Sequence, residues 1–312
     1  MSVPFAGTLK LAALGEREIV MTREFDAPRR LVFDAFTKPE LLRKWLLGPD
    51  GWAMPVCEVD LRVGGAYRFV WKRDSDGSTM GVSGVYREVS PPERTVHTEK
   101  FDDAWYPGES VITTVFEEEA GRTKATMTLL YASREARDGV LRSPMESGVR
   151  QSYDRLAEVL DTPQIVRTTA NPIATIRVTV PRPEIRRAIG LGLEELRAAV
   201  AAQGVAVTGS WFTHHLKMDP AVFDFEIGVC VVKPVSPAGR VKPGTWPATS
   251  MARTVHRGAY EKLGEAWGAF DAWVKSAGHT AAPDLWERYV AGPESVADAA
   301  AYRTELHRPL IG

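Results

Sequence analysis

Alternating apolar and polar side chains dominate the first half of the chain, between residues 17 and 132. In the segment 67–72, Tyr67, Phe69 and Trp71 fall on one face, as the two-residue period of a strand requires. Further segments with this period are 80–89, 94–100, 111–117 and 124–131. Because turn residues separate these segments, the pattern predicts a run of antiparallel strands.

Two segments of the same half have the spacing of helices. The first helix can begin after Asp26, with Pro28 at an early position where the missing amide hydrogen costs nothing. In the second, spacings of three and four residues join Met145, Val149, Tyr153, Leu156 and Leu160 into one apolar stripe. A helix of this kind buries its stripe by lying across the concave side of the sheet.

Residues 161–172 contain two prolines and no sustained period, which predicts a linker between a domain at 17–160 and a domain at 173–310. After the linker, the order strand, helix, strand, strand occurs twice. The first copy is predicted at 174–180, 184–202, 210–214 and 223–232, and the second at 248–256, 260–276, 285–290 and 301–307. Two such copies predict a pseudo-twofold domain with a groove at their junction.

The strand predicted at 285–290 carries the most informative chemistry. Its alternation places Glu287 and Tyr289 on one face and Trp286 and Arg288 on the other. If the first face lines the groove, an anionic group lies in a pocket lined by aromatic rings. Such a pocket suits cationic or electrophilic aromatic molecules. If the strand lies at the edge of a sheet, the carboxylate is simply solvated.

Alignment of the two copies matches Trp211 with Trp286, Phe212 with Glu287 and His214 with Tyr289. Adjacent residues on a strand point to opposite faces, so only one of His214 and His215 can reach the groove, and the alignment favours His214. The two histidines have no third partner at a suitable spacing. We therefore expect no metal site.

The composition of the chain indicates its size class, its main partners and its compartment. The 312 residues are 44% hydrophobic and 25% charged, as in a globular protein large enough for two domains. With 39 basic and 40 acidic side chains, the net charge of -1 gives no electrostatic case for nucleic acid or a membrane surface as the main partner. The separation of Cys57 from Cys230 argues against a disulfide framework and favours a cytoplasmic protein. No phosphate-binding glycine loop occurs, and we expect no cofactor.

Several separated motifs of the first half occur in a recognisable order. They are Phe25-Asp26-Ala27-Pro28, Trp45, Val63-Gly64-Gly65-Ala66 and Gly84-Val85-Tyr86. This half resembles the START-like helix-grip superfamily, in particular bacterial homologues of the activator of the heat-shock-protein-90 ATPase. The resemblance implies a curved sheet that grips a helix around an apolar cavity. Trp45, Trp71, Tyr86 and Met145 are candidate walls of that cavity, and the alternative is that they fill the core.

The second half has its own recognisable motifs. They include Phe225-Glu226-Ile227-Gly228, His256-Arg257-Gly258-Ala259-Tyr260, Trp286-Glu287-Arg288-Tyr289 and Glu305-Leu306-His307-Arg308-Pro309. This half resembles the GyrI-like small-molecule-binding domain. The resemblance implies that Glu287 is the acidic residue of the pocket, with Tyr260, Tyr289 and Glu226 around it. Trp211, His214 and Phe223 complete the predicted set of ligand-binding residues.

We therefore expect an α+β protein in which a helix-grip antiparallel sheet domain precedes a duplicated GyrI-like domain. Its predicted function is binding of hydrophobic aromatic or cationic small molecules, for resistance by sequestration. A hydrolase of an electrophilic, cyclopropane-type toxin is the alternative, with Glu287, Tyr260 and Tyr289 as catalytic residues. A co-chaperone-like or regulatory interaction protein is a second alternative. In an apolar groove without a compensating cation or donor, the pKa of Glu287 is expected to rise.

Overall fold

The computed structural model describes residues 9–103, 106, 108–119, 121–219 and 221–311. The chain divides into two compact units, of which the first ends at Leu160 and the second begins at Asp161. No helix in these ranges is both long and apolar enough to cross a membrane.

The first unit is built on an eight-stranded antiparallel sheet. Its strands are β1 (Lys10–Leu14), β2 (Glu18–Phe25), β3 (Trp52–Val59), β4 (Ala66–Arg73), β5 (Thr79–Ser90), β6 (Arg94–Phe101), β7 (Ser110–Glu119) and β8 (Arg122–Leu130). The strand order is β1-β2-β8-β7-β6-β5-β4-β3. The helices are α1 (Arg29–Thr37), α2 (Pro39–Trp45), α3 (Arg134–Leu141) and α4 (Met145–Asp161).

Helix α4 buries the face that its apolar stripe predicted. Tyr153, Leu156 and Leu160 are buried, whereas Met145 and Val149 in the first two turns are only half-buried. The Tyr153 ring meets Phe25 of β2 edge-on with the ring centroids 5.8 Å apart. Edge-to-face packing of this kind holds the helix against the sheet and confirms the predicted arrangement.

The second unit contains a nine-stranded sheet. Its described residues also form two α-helices. The strands are β9 (Gln164–Arg167), β10 (Asn171–Pro181), β11 (Val207–Met218), β12 (Val222–Val231), β13 (Lys242–Trp246), β14 (Ser250–Arg257), β15 (Thr280–Ala281), β16 (Leu285–Ala291) and β17 (Arg303–Ile311). The helices are α5 (Ile185–Ala202) and α6 (Leu263–Ser276). The strand order is β13-β10-β12-β11-β16-β17-β14-β9, and β15 pairs with β17.

The order of strands confirms the predicted duplication. The first copy contributes β10-β12-β11 and the second contributes β16-β17-β14, so the two copies are arranged symmetrically about the boundary between β11 and β16. Each long helix is preceded by a 3-10 turn, Arg182–Glu184 in the first copy and Tyr260–Lys262 in the second. The centre of the sheet is therefore the junction of the two copies.

Part of the segment predicted as a linker is a strand. Residues 164–167 form β9, which pairs with β14 and sets Val166 opposite Met251. Val166 also packs against a buried cluster that contains Met251. This segment forms a strand because it pairs with a distant strand. Its local sequence has no sustained period, and for that reason it suggested a linker.

Both helices cover the same face of the sheet. His215 on β11 lies opposite Phe225 on one side and opposite Leu285 on the other, so all three side chains share a face. Phe225 belongs to the core beneath α5, and Leu285 belongs to the core beneath α6. The central strands β11 and β16 therefore form the floor of the region between the two helices.

Candidate functional site

Glu287 lies at the junction of the two copies, directly opposite Thr213 in the pairing of β16 with β11. The residue is only 7% exposed. Its Oε1 accepts a hydrogen bond of 2.7 Å from the indole nitrogen of Trp267 on α6. Its Oε2 accepts a hydrogen bond of 2.6 Å from the phenol of Tyr289 and lies 3.5 Å from Nε2 of His215. Three separate segments thus supply donors to one buried carboxylate.

These donors lower the pKa of the carboxyl group and so determine whether it is ionised. Burial by itself raises the pKa of Glu287, but a hydrogen bond and electrostatic attraction from His215, together with hydrogen bonds from Tyr289 and Trp267, outweigh that effect and bring the pKa below its ordinary value of 4.5. The rise expected for an uncompensated carboxyl in an apolar groove therefore does not occur. Glu287 is ionised at neutral pH, a buried anion held by neutral donors and one histidine.

Aromatic rings form a wall beside this anion. The rings of Trp211 and Tyr289 are stacked, with centroids 3.9 Å apart and planes 11° from parallel. Tyr260 meets Tyr289 edge-on at 5.5 Å, and Tyr302 packs against Tyr260 at 5.1 Å. Since Trp211 remains partly exposed, the wall reaches from the buried carboxylate to the solvent.

Among the polar atoms at the site that are buried without a hydrogen-bond partner within the described residues, two belong to ring side chains near the carboxylate. They are the hydroxyl oxygen of Tyr260 and Nδ1 of His215. A buried hydroxyl without a partner is unfavourable by about 1–3 kcal/mol. A bound molecule with a polar group at this position would remove that cost, so both atoms are candidate ligand contacts.

The structure brings most of the predicted residues of the second domain together. Glu287, Tyr289, Tyr260 and Trp211 form the anion and its wall, and Phe223 joins them because its ring packs edge-on against His215 with centroids 5.9 Å apart. The site also holds Thr213, Trp267 and Tyr302, which the sequence did not point out. Of the two adjacent histidines, His215 and not the favoured His214 lies on this face. Trp267 has a detectable signal, since it lies on the apolar stripe of α6 with Phe270 and Val274.

His214 and Glu226 differ from the prediction, because they lie on the opposite face of the sheet. His214 faces Trp286 across the strand pair, with the rings stacked at 3.8 Å. Its Nδ1 is 3.0 Å from Glu226 and its Nε2 is 2.9 Å from Asp284. The alignment of the copies matched residues that lie on opposite faces, because Thr213 rather than Phe212 shares a face with Glu287, and a shift by an odd number of residues moves a side chain to the other face.

The described ranges contain no group of three or more histidine, cysteine or acidic side chains arranged to hold a metal ion. The carboxylate, the rings and the unpartnered polar atoms make up the candidate site. Each of these can contact an organic molecule directly.

The candidate residues of the first unit have the contacts of core residues. The indole nitrogen of Trp45 donates to the carbonyl oxygen of Ala35 at 2.9 Å, and that of Trp71 donates to the carbonyl oxygen of Leu46 at 2.6 Å. Tyr86 is buried against His97 with ring centroids 5.5 Å apart. Met145 begins α4 and is half-buried. These contacts fit the alternative that the residues fill the core, and a ligand-binding role for them stays a prediction.

An unusual carboxyl group lies on β6 of the first unit. Glu99 pairs with Ser110 of β7, and burial raises its pKa to about 7 despite a hydrogen bond from Ser110. The hydroxyl of Tyr106 is also affected, since burial and the nearby Glu99 raise its pKa to about 12.

Glu99→Gln is expected to flatten the dependence of the first unit's stability on pH. Glu99 of the unfolded chain loses its proton near the ordinary pKa of 4.5, whereas the folded protein keeps it up to about pH 7. The stability that this proton contributes is therefore complete below 4.5 and lost as the pH rises toward 7. Hydrogen exchange of peptides from β6 and β7 at several pH values measures the effect. A variant with the same pH dependence as the wild type, or the same flattening with the exposed Glu58→Gln, would contradict the prediction.

Family models match both halves of the chain. Residues 26–161 match the Activator of Hsp90 ATPase homolog 1-like protein family, and residues 161–310 match the GyrI-like small molecule binding domain. No curated protein matches the chain.

Solved structures resemble parts of the chain. A Rhodobacter sphaeroides protein is 31% identical, with a TM-score of 0.46 over 49% of this chain and 97% of its own. A Chromobacterium violaceum protein is 30% identical, with a TM-score of 0.41 over 47% of this chain and 98% of its own. The C-terminal domain of EcmrR is 21% identical, with a TM-score of 0.43 over 48% of this chain and 97% of its own.

The two matched regions meet at residue 161, where the second compact unit begins. The second matched region contains the nine-stranded sheet and the buried carboxylate of Glu287. The chain therefore joins a domain of the Activator of Hsp90 ATPase homolog 1-like family, at residues 26–161, to a GyrI-like small molecule binding domain at residues 161–310.

Proposed function

We propose that the second domain binds flat aromatic cations beside Glu287, and that the protein protects against toxic natural products or drugs of this class by sequestering them. The observation that carries the proposal is a buried, ionised carboxylate beside the aromatic wall formed by Trp211, Tyr289 and Tyr260. Flat aromatic ligands gain from stacking on such rings, and a positive charge gains from both the rings and the carboxylate.

The charges around Glu287 support a cationic ligand. Among the described residues, His215 is the one basic side chain within ion-pair distance of this carboxylate. The remaining contacts come from neutral donors. A cation that stacks on the wall lies in a region of low dielectric, where its attraction to the carboxylate is stronger than in water.

Sequestration is favoured over hydrolysis by the way in which the polar groups are engaged. In the hydrolase alternative, Glu287 with Tyr260 or Tyr289 moves a proton while water attacks the ligand. Glu287 and Tyr289 are already engaged. These two groups bond to each other at 2.6 Å, and burial together with the neighbouring carboxylate raises the pKa of the Tyr289 phenol well above its ordinary value. A phenol with such a raised pKa keeps its proton and serves to hold the carboxylate.

A matched pair of ligands tests the proposal. N-methylacridinium carries a fixed positive charge, whereas acridine has nearly the same ring and is neutral at mildly alkaline pH. We expect the full-length protein to bind the cation about ten-fold more tightly in fluorescence titrations, and Glu287→Gln to abolish most of that difference. Equal affinity of the wild type for both ligands would contradict the proposal. Mass spectrometry of a cyclopropane-bearing aromatic electrophile recovered from the protein completes the test, because sequestration returns it unchanged and hydrolysis does not.

A further inference from the structure

A second carboxylate lies at the other end of the aromatic wall. Glu294 is an exposed residue in the loop that follows β16, and its Oε1 accepts a hydrogen bond of 3.1 Å from the indole nitrogen of Trp211. The residue was not among those predicted from the sequence. Its place on the wall follows from the stacking of Trp211 on Tyr289, whose hydroxyl in turn binds Glu287.

The buried Gly292 brings this second carboxylate close to Tyr260. A Cβ atom added to Gly292 would lie 2.4 Å from the Tyr260 hydroxyl oxygen and 2.8 Å from Oε2 of Glu294. Both atoms therefore border the same small space, which only a glycine leaves open. The unpartnered hydroxyl of Tyr260 thus lies on the side of the wall that Glu294 occupies.

Neither carboxylate is neutralised by a lysine or an arginine in the part of the chain that the structure describes. Glu287 has His215 as its one ion-pair neighbour, and Glu294 is hydrogen-bonded to the neutral Trp211. The stacked pair of Trp211 and Tyr289 separates the two negative charges, one buried and one exposed. Such a wall attracts positive charge at both of its ends.

We infer that the preferred ligands are planar aromatic molecules with two cationic centres, one directed to Glu287 and the other to Glu294. The inference rests on the proposed function and specifies its ligand class. Stacking on Trp211 holds the ring system, Glu287 pairs with the charge nearest the floor, and Glu294 pairs with a charge on a substituent that extends toward the solvent. Glu294 is thereby a specificity-determining residue that discriminates dications from monocations.

Exposure limits the size of the effect at Glu294. An exposed ion pair contributes only modestly to affinity, and salt screens it. The second charge of a ligand should therefore improve affinity by about two- to five-fold at low salt. This advantage should fall toward unity at high salt, whereas binding that depends on the buried Glu287 should change less.

Ethidium and propidium provide the test. They share one phenanthridinium ring with a fixed positive charge, and propidium carries a second quaternary ammonium on its side arm. Fluorescence titrations of the full-length protein compare the wild type with Glu294→Gln, which keeps an oxygen acceptor for Trp211 and removes only the charge. Glu58→Gln, an exposed acid of the first unit, controls for the change in net charge.

We expect the wild type and Glu58→Gln to bind propidium about two- to five-fold more tightly than ethidium, and Glu294→Gln to bind both with similar affinity. An unchanged ratio in Glu294→Gln would overturn the inference and leave the proposed function standing. Equal weakening of both ligands in Glu294→Gln would also overturn it, because Glu294 would then only position Trp211. If neither ligand binds the wild type, the proposed function fails and the inference fails with it.

Discussion

Glu287→Ala is expected to lower the free energy of unfolding of the second unit by about 2–4 kcal/mol. The substitution leaves the indole nitrogen of Trp267 and the hydroxyl of Tyr289 without the acceptor that each now has at 2.7 and 2.6 Å. Both donors are buried, so water cannot replace the lost hydrogen bonds. Because the pKa of Glu287 lies below its ordinary value, these hydrogen bonds together with the interactions of His215 outweigh the cost of burying the charge.

Hydrogen exchange of the peptides that cover β11 and β16, in the full-length protein, measures this loss. Glu287→Gln should lose about half as much, since its single oxygen can accept one of the two hydrogen bonds. Glu265→Ala serves as the matched control, because this acid is exposed on α6 and should change stability by no more than about 0.5 kcal/mol. Equal exchange in Glu287→Ala and Glu265→Ala would show that the buried hydrogen bonds contribute nothing.

The duplicated fold of the second unit could be predicted because each copy carries its own apolar pattern. Strands with a clear two-residue period and helices with a clear stripe are determined largely by local sequence. The short strands β9, β13 and β15 were not predicted. Residues 164–167 illustrate the reason, since they become a strand only by pairing with β14, which lies more than 80 residues further along the chain.

The face of each side chain was predictable within a strand but not between strands. The period of two correctly placed Glu287 and Tyr289 together, because both lie on β16. The comparison of the two copies relied on matching Trp211 with Trp286, yet Trp211 stacks on Tyr289 while Trp286 lies on the opposite face, against His214. The register shift in β11 between Thr208 and Phe212 leaves no trace in a simple alignment.

The charge of the site could not be predicted from its local sequence. An acid on an apolar strand predicts a raised pKa only if nothing donates to it. Here Trp267 comes from α6, His215 from β11 and Tyr289 from the same strand as Glu287. Donors separated by tens of residues converge only in the folded protein, so a pattern read along the chain identified the carboxylate but not its ionisation.

A second large effect is expected at Arg253, which is completely buried on the sheet face opposite Glu287. Its guanidinium donates to Oε1 of Glu305 at 2.5 Å. Despite burial, the pKa of Glu305 lies well below its ordinary value because of Arg253, His307 and Arg288. Arg253→Met should therefore cost about 3–5 kcal/mol, since it leaves an ionised carboxylate in the interior without its main partner.

The double variant Arg253→Met, Glu305→Leu separates the ion pair from the packing of its side chains. Removing both charges leaves no uncompensated carboxylate, and apolar residues of similar size often replace a buried pair without loss. The double variant should therefore recover most of the stability that Arg253→Met loses, as measured by hydrogen exchange of β14 and β17 in the full-length protein. If the loss in the double variant equals the sum of the losses in Arg253→Met and in Glu305→Leu made alone, then Arg253 stabilises this face through packing alone. Recovery, in contrast, means that the stability lost in Arg253→Met reflects a stranded carboxylate, because two independent sites would not compensate each other.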